Sequence, residues 1–223
     1  KGDAASPGAV TDVKGVPITA MTAVAAGGGH TVALGRDGTV RSWGANGSGQ
    51  LGIGSLANQG VPALIEELAD IVAVAGGHAH TLAVSLDGTL WAWGANDSGQ
   101  LGNGDTIQRT RPTRIEGLSD VIAVAAGLQH SAALRRDGTV WTWGSNDRGQ
   151  LGQNDLPSSL TPQQVTGLIN VVSVACGYDH TAALASDNTV WVWGDNRGCQ
   201  LGDGYKAHRT MPVPVTALSV TAG

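Results

Sequence analysis

Several kinds of residue are scarce in this chain. It has 223 residues, no phenylalanine and two cysteines, and charged residues make up 14% of it, against about 25% in typical proteins. Two cysteines are too few for a disulfide framework or a four-ligand zinc site. The formal net charge of −5 argues against a surface that binds nucleic acid. No apolar run approaches the roughly 20 residues that span a bilayer, so no membrane insertion is expected.

Glycine is abundant instead. There are 34 glycines and 7 tryptophans, and the share of glycine is about twice the usual one. Glycine favours turns over helices, and the many valines and threonines favour strands. With 41% hydrophobic residues, the chain has enough apolar side chains to fold. The composition therefore predicts a folded all-β protein with short strands and tight turns, and it excludes coiled coils and helical bundles.

One sequence unit occurs four times with a constant step of 50 residues. Gly-Gln-Leu-Gly occurs at 49–52, 99–102 and 149–152, and Cys-Gln-Leu-Gly follows at 199–202. Trp-Gly pairs lie at the same step, at 43–44, 93–94, 143–144 and 193–194. Because no insertion or deletion separates the copies, the chain is built from one repeated structural unit.

The second copy shows how one unit folds. Its β-branched and alternating runs predict strands over 71–75, 80–85, 89–93 and, more weakly, 112–116. The pair Asp87-Gly88 predicts a hairpin with a type I′ turn, since glycine accepts a positive φ. A long polar loop precedes the fourth strand, and Pro112 places that strand at a sheet edge. Four antiparallel strands in a unit of this length indicate a propeller blade.

The predicted fold is a β-propeller with four four-stranded blades of 50 residues and a partial fifth. We expect a linker or N-terminal edge segment over 1–18, followed by blades over about 19–68, 69–118, 119–168 and 169–218, and the partial blade over 219–223. Blades bury their faces against each other, and the large apolar side chains available for this are Trp93, Trp143 and Trp193. Each follows a second tryptophan by two residues, which the first blade replaces with Arg41.

Four segments resemble the signature of the regulator of chromosome condensation repeat family: Val24–Leu34, Val74–Val84, Val124–Leu134 and Val174–Leu184. The Asp-Gly-Thr-Val-Trp-x-Trp-Gly and Asn-x-x-Gly-Gln-Leu-Gly elements resemble it as well. The resemblance implies a ring that usually has about seven blades, and therefore an arc or fragment of such a ring here. Three alternatives stay open: a piece of a longer protein, a ring completed by a second copy through open blade edges, and a short propeller or open arc.

The repeated histidines and glutamines are interpreted as structural. A residue that recurs in every blade is spread around the axis and is not gathered at one site. We therefore expect each imidazole to bond a neighbouring backbone group and each glutamine to hold the long loop. The residues concerned are His30, His80, His130, His180, Gln50, Gln100, Gln150 and Gln200.

Residues that differ among the four copies are better candidates for function than residues that recur in each copy. Strand direction predicts that the Gly-x-x-His turns and the long loops open on one face of the propeller. The turn pair on that face changes from Gly28-Gly29 in the first copy to Tyr178-Asp179 in the fourth. Tyrosine and arginine are favoured at protein interfaces, so we expect a partner-binding face, with ordinary solvated loops as the alternative. The candidate residues are His78, Leu128, Gln129, Arg148, Tyr178, Asp179, Asp195 and Arg197.

Cys176 and Cys199 fall on the same predicted face of the fourth copy. Either they form a disulfide or they are two small buried thiols. Their spacing relative to His180 and Asp179 fits no usual pattern of metal ligands, so no metal site is expected.

The function expected from these observations is a non-catalytic protein-interaction module whose partner is another protein. The resemblance also implies a guanine nucleotide exchange factor for a small GTPase, but the constant 50-residue step leaves no room for the inserted wedge used there. An enzyme with a site in the central channel is a third alternative, although no catalytic motif is present. No cofactor is expected. The compartment stays open, with an extracellular or periplasmic protein slightly favoured by the few lysines.

Overall fold

The computed structural model describes residues 9–11, 14–15, 17–154 and 156–216. These residues form sixteen β-strands and no helix, hence no helix that could cross a membrane. The strands make four separate antiparallel sheets, each built from four consecutive strands. The predicted all-β fold with four four-stranded blades is confirmed. The predicted partial blade over 219–223 lies outside the described residues, as does much of the 1–18 segment, where Thr11 and Pro17 form an isolated β-bridge.

The four blades repeat the same strand lengths. The first consists of β1 (Met21–Ala26), β2 (His30–Gly35), β3 (Val40–Gly44) and β4 (Gln59–Leu64). The second consists of β5 (Ile71–Gly76), β6 (His80–Ser85), β7 (Leu90–Gly94) and β8 (Arg109–Arg114). The third consists of β9 (Val121–Ala126), β10 (His130–Arg135), β11 (Val140–Gly144) and β12 (Ser159–Gln164). The fourth consists of β13 (Val171–Cys176), β14 (His180–Ala185), β15 (Val190–Gly194) and β16 (Arg209–Pro214).

The first strand of each blade lies nearest the propeller axis, because β1, β5, β9 and β13 contact one another in chain order. These strands are short runs of alanine and β-branched residues, which suit positions packed on both sides. The fourth strand of each blade pairs with the third and forms the outer edge. Pro112 in β8 fits this place, since an edge strand does not need every backbone donor.

The turn between the second and third strands differs from the predicted type I′. Such a turn needs positive φ at both central residues, whereas Gly88 has a φ of +83° and Asp87 is not among the positive-φ residues. The Gly88 N–H donates to the Ser85 carbonyl at 2.8 Å, so the turn spans 85–88 and ends on a left-handed glycine. The Asp87 carboxylate accepts the N–H of Thr89 at 2.9 Å, which explains why aspartate is suited to this place.

The three junctions between neighbouring blades use the same set of hydrogen bonds. At the first junction, the backbone carbonyl of Gln50 accepts the Thr81 hydroxyl at 2.8 Å and the Trp93 indole N–H at 2.9 Å. Equivalent bonds reach the Gln100 carbonyl from Ser131 and Trp143, and the Gln150 carbonyl from Thr181 and Trp193. The three tryptophans are fully buried, each against an apolar cluster of the preceding blade. The same chemistry therefore joins each blade to the next.

We call the side of a blade that bears the histidine and the glutamine carbonyl its acceptor face, and the side that bears the hydroxyl and the tryptophan its donor face. His30 Nε2 lies 2.8 Å from Thr81 Oγ1 across the first junction. The single hydroxyl proton is donated to the Gln50 carbonyl, so the imidazole must be the donor in this contact. The expected backbone partner is thus wrong for His30, His80 and His130, because each ring bonds a side-chain hydroxyl of the next blade.

Burial keeps these rings neutral. It lowers the pKa of His30 to about 4, and those of His80 and His130 to about 3. The Nδ1 atom of each ring has no hydrogen-bond partner within the described part of the chain. The three imidazoles therefore act as buried donors that join blades, and they are poorly suited to accept a proton near neutral pH.

The long loops are held by asparagines, and the glutamines have a smaller part than expected. Among the described residues, Gln50 Oε1 accepts only the N–H of Ser48, two residues earlier, at 2.9 Å. The buried Asn46 side chain donates to the carbonyls of Ser55 and Ala57 at 2.8 and 3.0 Å. Its Oδ1 accepts the Leu51 N–H at 3.0 Å, so one asparagine joins both ends of the loop.

Candidate partner-binding face

The Gly-x-x-His turns and the long loops open on one face of the propeller, which we call the loop face. His80 at the start of β6 pairs with Gly94 at the end of β7, so the two connections lie at the same sheet edge. The N–H of Ala95 in the long loop donates to the Ala79 carbonyl in the turn at 2.8 Å. The same bond recurs in the other three blades at 2.7 to 2.8 Å, which gives every blade an identical loop frame.

A depression of about 370 Å³ lies at the centre of the loop face, where the four turns meet. Its glycine backbone is bordered by the side chains of His78, Leu128 and Tyr178, from three successive blades. The turns are joined to each other, since the His78 N–H donates to the Gly127 carbonyl at 3.0 Å and the Leu128 N–H donates to the Tyr178 carbonyl at 2.9 Å. The side chains around the depression are therefore carried by turns whose backbones are hydrogen-bonded from blade to blade.

The rings of His78 and Tyr178 pack against each other although 100 residues separate them in the sequence. Their centroids are 6.3 Å apart with planes at 68°, an edge-to-face arrangement. Tyr178 is nevertheless 63% exposed. An exposed aromatic ring that is already oriented by a neighbour loses little conformational freedom when it binds.

Charged side chains gather beside the depression in the fourth blade. Asp195 is 7% exposed, and its carboxylate accepts hydrogen bonds from Arg197 Nε and Gln200 Nε2, both at 2.9 Å. Burial alone would raise the pKa of Asp195, but these hydrogen bonds outweigh it and hold the pKa below its ordinary value. Asp195 thus remains a carboxylate, and it fixes the exposed Arg197 guanidinium at the rim.

Asp179 completes this charged group. Burial, and then the negative charge of Asp195, raise its pKa above the ordinary value, while Arg148 and Arg197 act in the opposite direction. Arg148 belongs to the third blade and Asp179 to the fourth, so the group crosses a junction. Asp195 stands where the other blades have Ala45, Ala95 and Ser145, and the earlier blades therefore lack this buried carboxylate.

The candidate residues from the sequence thus fall into two adjoining sets. His78, Leu128 and Tyr178 border the central depression, and Arg148, Asp179, Asp195 and Arg197 form the charged group. Gln129 lies between them, half-buried, and its carbonyl accepts the Ser145 N–H at 2.8 Å. Nothing in the described residues gathers three or more His, Cys, Asp or Glu side chains in a way that could hold a metal ion.

The disulfide alternative for Cys176 and Cys199 is not found, since both cysteines are free thiols. Cys176 ends the innermost strand β13, and burial raises the pKa of its thiol to about 12. Cys199 is exposed in the long loop, at the place of Gly49, Gly99 and Gly149, with a φ of +61°. The expectation of two buried thiols is wrong for Cys199, which is exposed, while Cys176 is half-buried at the central depression and differs from it by its raised pKa.

The fourfold repeat, the four-stranded sheets and the common junction bonds define a β-propeller of regulator of chromosome condensation repeats. The family model of the RCC1-like domain matches residues 2–223, and the chain belongs to this family. A curated relative, the RCC1 domain-containing protein RUG3, mitochondrial, of Arabidopsis thaliana, is 52% identical over 64 residues, which cover 29% of this chain and 14% of that protein.

Two solved structures extend the comparison to most of the chain. Human WBSCR16 is 32% identical with a TM-score of 0.80, over 88% of this chain and 53% of that one. Yeast RCC1 (Prp20), solved with Kap60 bound, is 25% identical with a TM-score of 0.81, over 90% of this chain and 49% of that one. The chain therefore spans about half the length of these two solved relatives.

Proposed function

We propose that this chain is a non-catalytic protein-interaction module that binds one partner protein through the loop face of its second, third and fourth blades. The observation that supports this most directly is that side chains of different chemistry surround one depression on a backbone frame that is the same in every blade. Junction bonds and loop frames are the same in each blade, whereas the side chains around the depression change from glycine to His78, Leu128 and Tyr178.

The chemistry of this face suits a protein partner. Tyr178 offers an oriented aromatic surface beside a shallow concavity, which matches the apolar centre of a protein interface. The adjoining Arg148 and Arg197, with Asp147 and Asp179, offer charges of both signs at the rim. Rim charges mainly set the speed and specificity of association, so we expect the aromatic residues to contribute most of the affinity.

The walls of the central channel favour binding over catalysis. The described innermost strands β1, β5, β9 and β13 contain no acidic, basic or histidine side chain. Their one thiol, Cys176, has a pKa of about 12 and is a poor nucleophile at neutral pH. An enzyme site in the channel would need an acid, a base or an activated nucleophile, and these strands supply none.

The relatives agree with a binding role without naming the partner. Yeast RCC1, a chain of the same family, has been solved in complex with the protein Kap60. We take from it only that a protein of this family binds another protein.

Site-specific crosslinking in the cells that make the protein tests the proposal. A photoreactive amino acid at position 178 should give one dominant adduct, whose protein is then identified and purified. With that partner, Tyr178→Ala should raise the dissociation constant at least about tenfold, and Arg148→Ala should slow association, more strongly at low salt.

Arg136→Ala is the matched control. Arg136 is an exposed arginine of the same blade as Arg148, but it lies in the turn between β10 and β11, at the opposite sheet edge. It should leave the affinity unchanged, and a photoreactive group at position 136 should not give the same adduct. Equal crosslinking from both faces, or an affinity that Tyr178→Ala does not change, contradicts the proposal.

A further inference from the structure

A depression of about 220 Å³ lies on the face of the propeller opposite the loop face, and we call it the turn-face depression. It is formed at the first junction, where the turn between β2 and β3 meets the beginning of the second blade. Its lining residues are Arg36, Asp37, Gly38, Asp70, Ile71, Val72 and Leu86. In the second blade His80 pairs with Gly94 at the loop face, and Val84 pairs with Leu90 at the other end of the same strands. A partner bound at this other end would not compete for the loop face.

The backbones that surround the turn-face depression are joined by hydrogen bonds. The Ile71 N–H donates to the Gly38 carbonyl at 3.1 Å across the junction, and the Leu86 N–H donates to the Asp70 carbonyl at 2.8 Å within the second blade. All of these segments belong to the first and second blades, so the depression is built at an internal junction and uses neither end of the arc.

A β-bulge exposes one apolar side chain of the depression. Ile71 pairs with Ser85 and Ala73 pairs with Val84, so the register shifts between them and Val72 has no paired position in the ladder. Bulges redirect a side chain away from the regular alternation of a strand. Val72 is accordingly 48% exposed, whereas Ile71 beside it is buried.

Leu86 provides a second exposed apolar side chain in the same depression. It is 70% exposed in a hairpin turn, where the other three blades have Arg36, Arg136 and Ser186. A leucine at this place gains little from folding, because most of its surface stays in water. Single exposed apolar residues are common on protein surfaces, but Leu86 and Val72 border one concavity, as the side chains of interaction sites do.

Carboxylates outnumber cations around the turn-face depression. Asp37 and Asp70 line it, Asp87 follows Leu86 directly in the sequence, and Arg36 is the one basic residue of the lining. The surface around the apolar side chains is therefore negative on balance.

The carboxylate of Asp70 has no ion-pair partner within the described residues. At the next junction the corresponding carboxylate, of Asp120, lies 3.5 Å from the Arg135 guanidinium, and at the third junction the corresponding residue is the neutral Asn170. An unpaired carboxylate beside exposed apolar side chains thus distinguishes the first junction from the other two.

Size and charge exclude several kinds of occupant. Pockets for small molecules usually measure about 300 to 1,000 Å³, so a depression of 220 Å³ suits a single side chain better than a cofactor. Nucleic acids and anionic membrane surfaces are attracted by lysine and arginine and repelled by carboxylates. An apolar side chain with positive charge beside it fits both properties of the depression.

We propose that the turn-face depression binds a segment of another protein in which an apolar side chain is flanked by lysine or arginine. The apolar side chain packs on Val72 and Leu86, and its basic neighbours lie near Asp37 and Asp70. Burial of the apolar side chain supplies most of the affinity, whereas the carboxylates select basic over acidic segments. A second copy of this chain is the alternative occupant.

NMR titration of the isotope-labelled 223-residue chain with three blocked pentapeptides tests the proposal. The probe is Gly-Arg-Leu-Arg-Gly. Gly-Glu-Leu-Glu-Gly differs from it only in charge, and Gly-Arg-Ser-Arg-Gly only in the apolar side chain. The probe should shift the amide signals of Val72 and Leu86 saturably, with a dissociation constant at least about tenfold lower than those of the other two peptides.

The other blades supply variants that suit the fold. Leu86→Ser introduces the residue of the fourth blade, Ser186, and should raise the dissociation constant of the probe at least about fivefold. Asp70→Asn introduces the residue of the third junction, Asn170, which has the same left-handed backbone, with a φ of +54° against +53°. It should reduce the preference for the basic over the acidic peptide about threefold, as expected for the loss of one exposed charge pair.

Asp120→Asn is the matched control, because it makes the same change at the next junction, where the carboxylate already faces Arg135. It should leave the dissociation constants of all three peptides as they are in the wild type. The proposal is overturned by the absence of a saturable shift up to about 10 mM probe, or by equal binding of the three peptides. It is also overturned by probe binding that Leu86→Ser does not weaken, or by self-association of the chain that Leu86→Ser abolishes.

Discussion

The backbone carbonyl of Gln100 accepts the indole N–H of Trp143 at 2.9 Å, across the junction between the second and third blades. The same carbonyl accepts the hydroxyl of Ser131 at 2.7 Å. Trp143 has no exposed surface, so its indole N–H cannot bond to water. Without the Gln100 carbonyl this buried donor would have no acceptor, which would lower the stability of the folded state. The stability of the propeller therefore depends on the junctions between blades as well as on the sheets.

Replacing this tryptophan by phenylalanine should destabilise the protein. Trp143→Phe removes one hydrogen bond and leaves a cavity, and together these should lower the free energy of unfolding by about 2 to 4 kcal/mol. Chemical denaturation followed by circular dichroism measures the loss. Trp43→Phe is the matched control, measured on dilute protein, because Trp43 is partly exposed and its N–H has no partner within the described residues. Equal losses of unfolding free energy for the two variants would show that the hydrogen bond and packing of Trp143 at the junction add no stability.

Stability should fall as the solution becomes mildly acidic. The pKa of His30 is lowered to about 4 and those of His80 and His130 to about 3, whereas a histidine in the unfolded chain titrates near 6.5. Below pH 6.5 these three imidazoles take up protons in the unfolded state but stay neutral in the folded state. Each ring therefore removes about 1.4 kcal/mol of stability per pH unit between about pH 6.5 and its folded pKa, and above pH 6.5 its effect levels off.

Replacing one histidine at a time tests which imidazole causes the fall of stability with pH. His130→Gln should lower stability at neutral pH and flatten the fall between pH 6.5 and 4, because one of the three protected rings is gone. His208→Gln, at an exposed residue, should leave the slope as it is. Denaturation midpoints at half-unit steps of pH give the comparison. A slope that His130→Gln does not change would mean that its ring is already accessible to protons in the folded state.

The repeat made the fold predictable from the sequence, whereas the contacts between blades were not predictable. Strands predicted over 71–75 and 80–85 are found at Ile71–Gly76 and His80–Ser85, because their side-chain pattern follows local geometry. The partner of His30 was predicted wrongly, since it lies 51 residues away and depends on how two blades align. The Asp87-Gly88 turn was assigned the wrong type because Asp87 caps the turn with its side chain.

The candidate partner-binding face was likewise predictable from the sequence only in part. The residues that vary among copies could be read directly, and the strand directions were enough to place them at one edge of the sheets. The contact between His78 and Tyr178 could not be anticipated, because it skips a blade and depends on the curvature of the arc near its axis. Nor did the sequence indicate that Asp195 would be buried beneath Arg197, since the other blades have Ala or Ser there.

The two thiols should react at very different rates. Cys199 is exposed, whereas burial raises the pKa of Cys176 to about 12, so Cys176 has almost no thiolate at neutral pH. A disulfide-exchange reagent should modify one thiol quickly in dilute folded protein and two after denaturation. Cys199→Ser should abolish the fast reaction, and Cys176→Ser should leave it unchanged. Denatured protein without free thiols would restore the disulfide alternative.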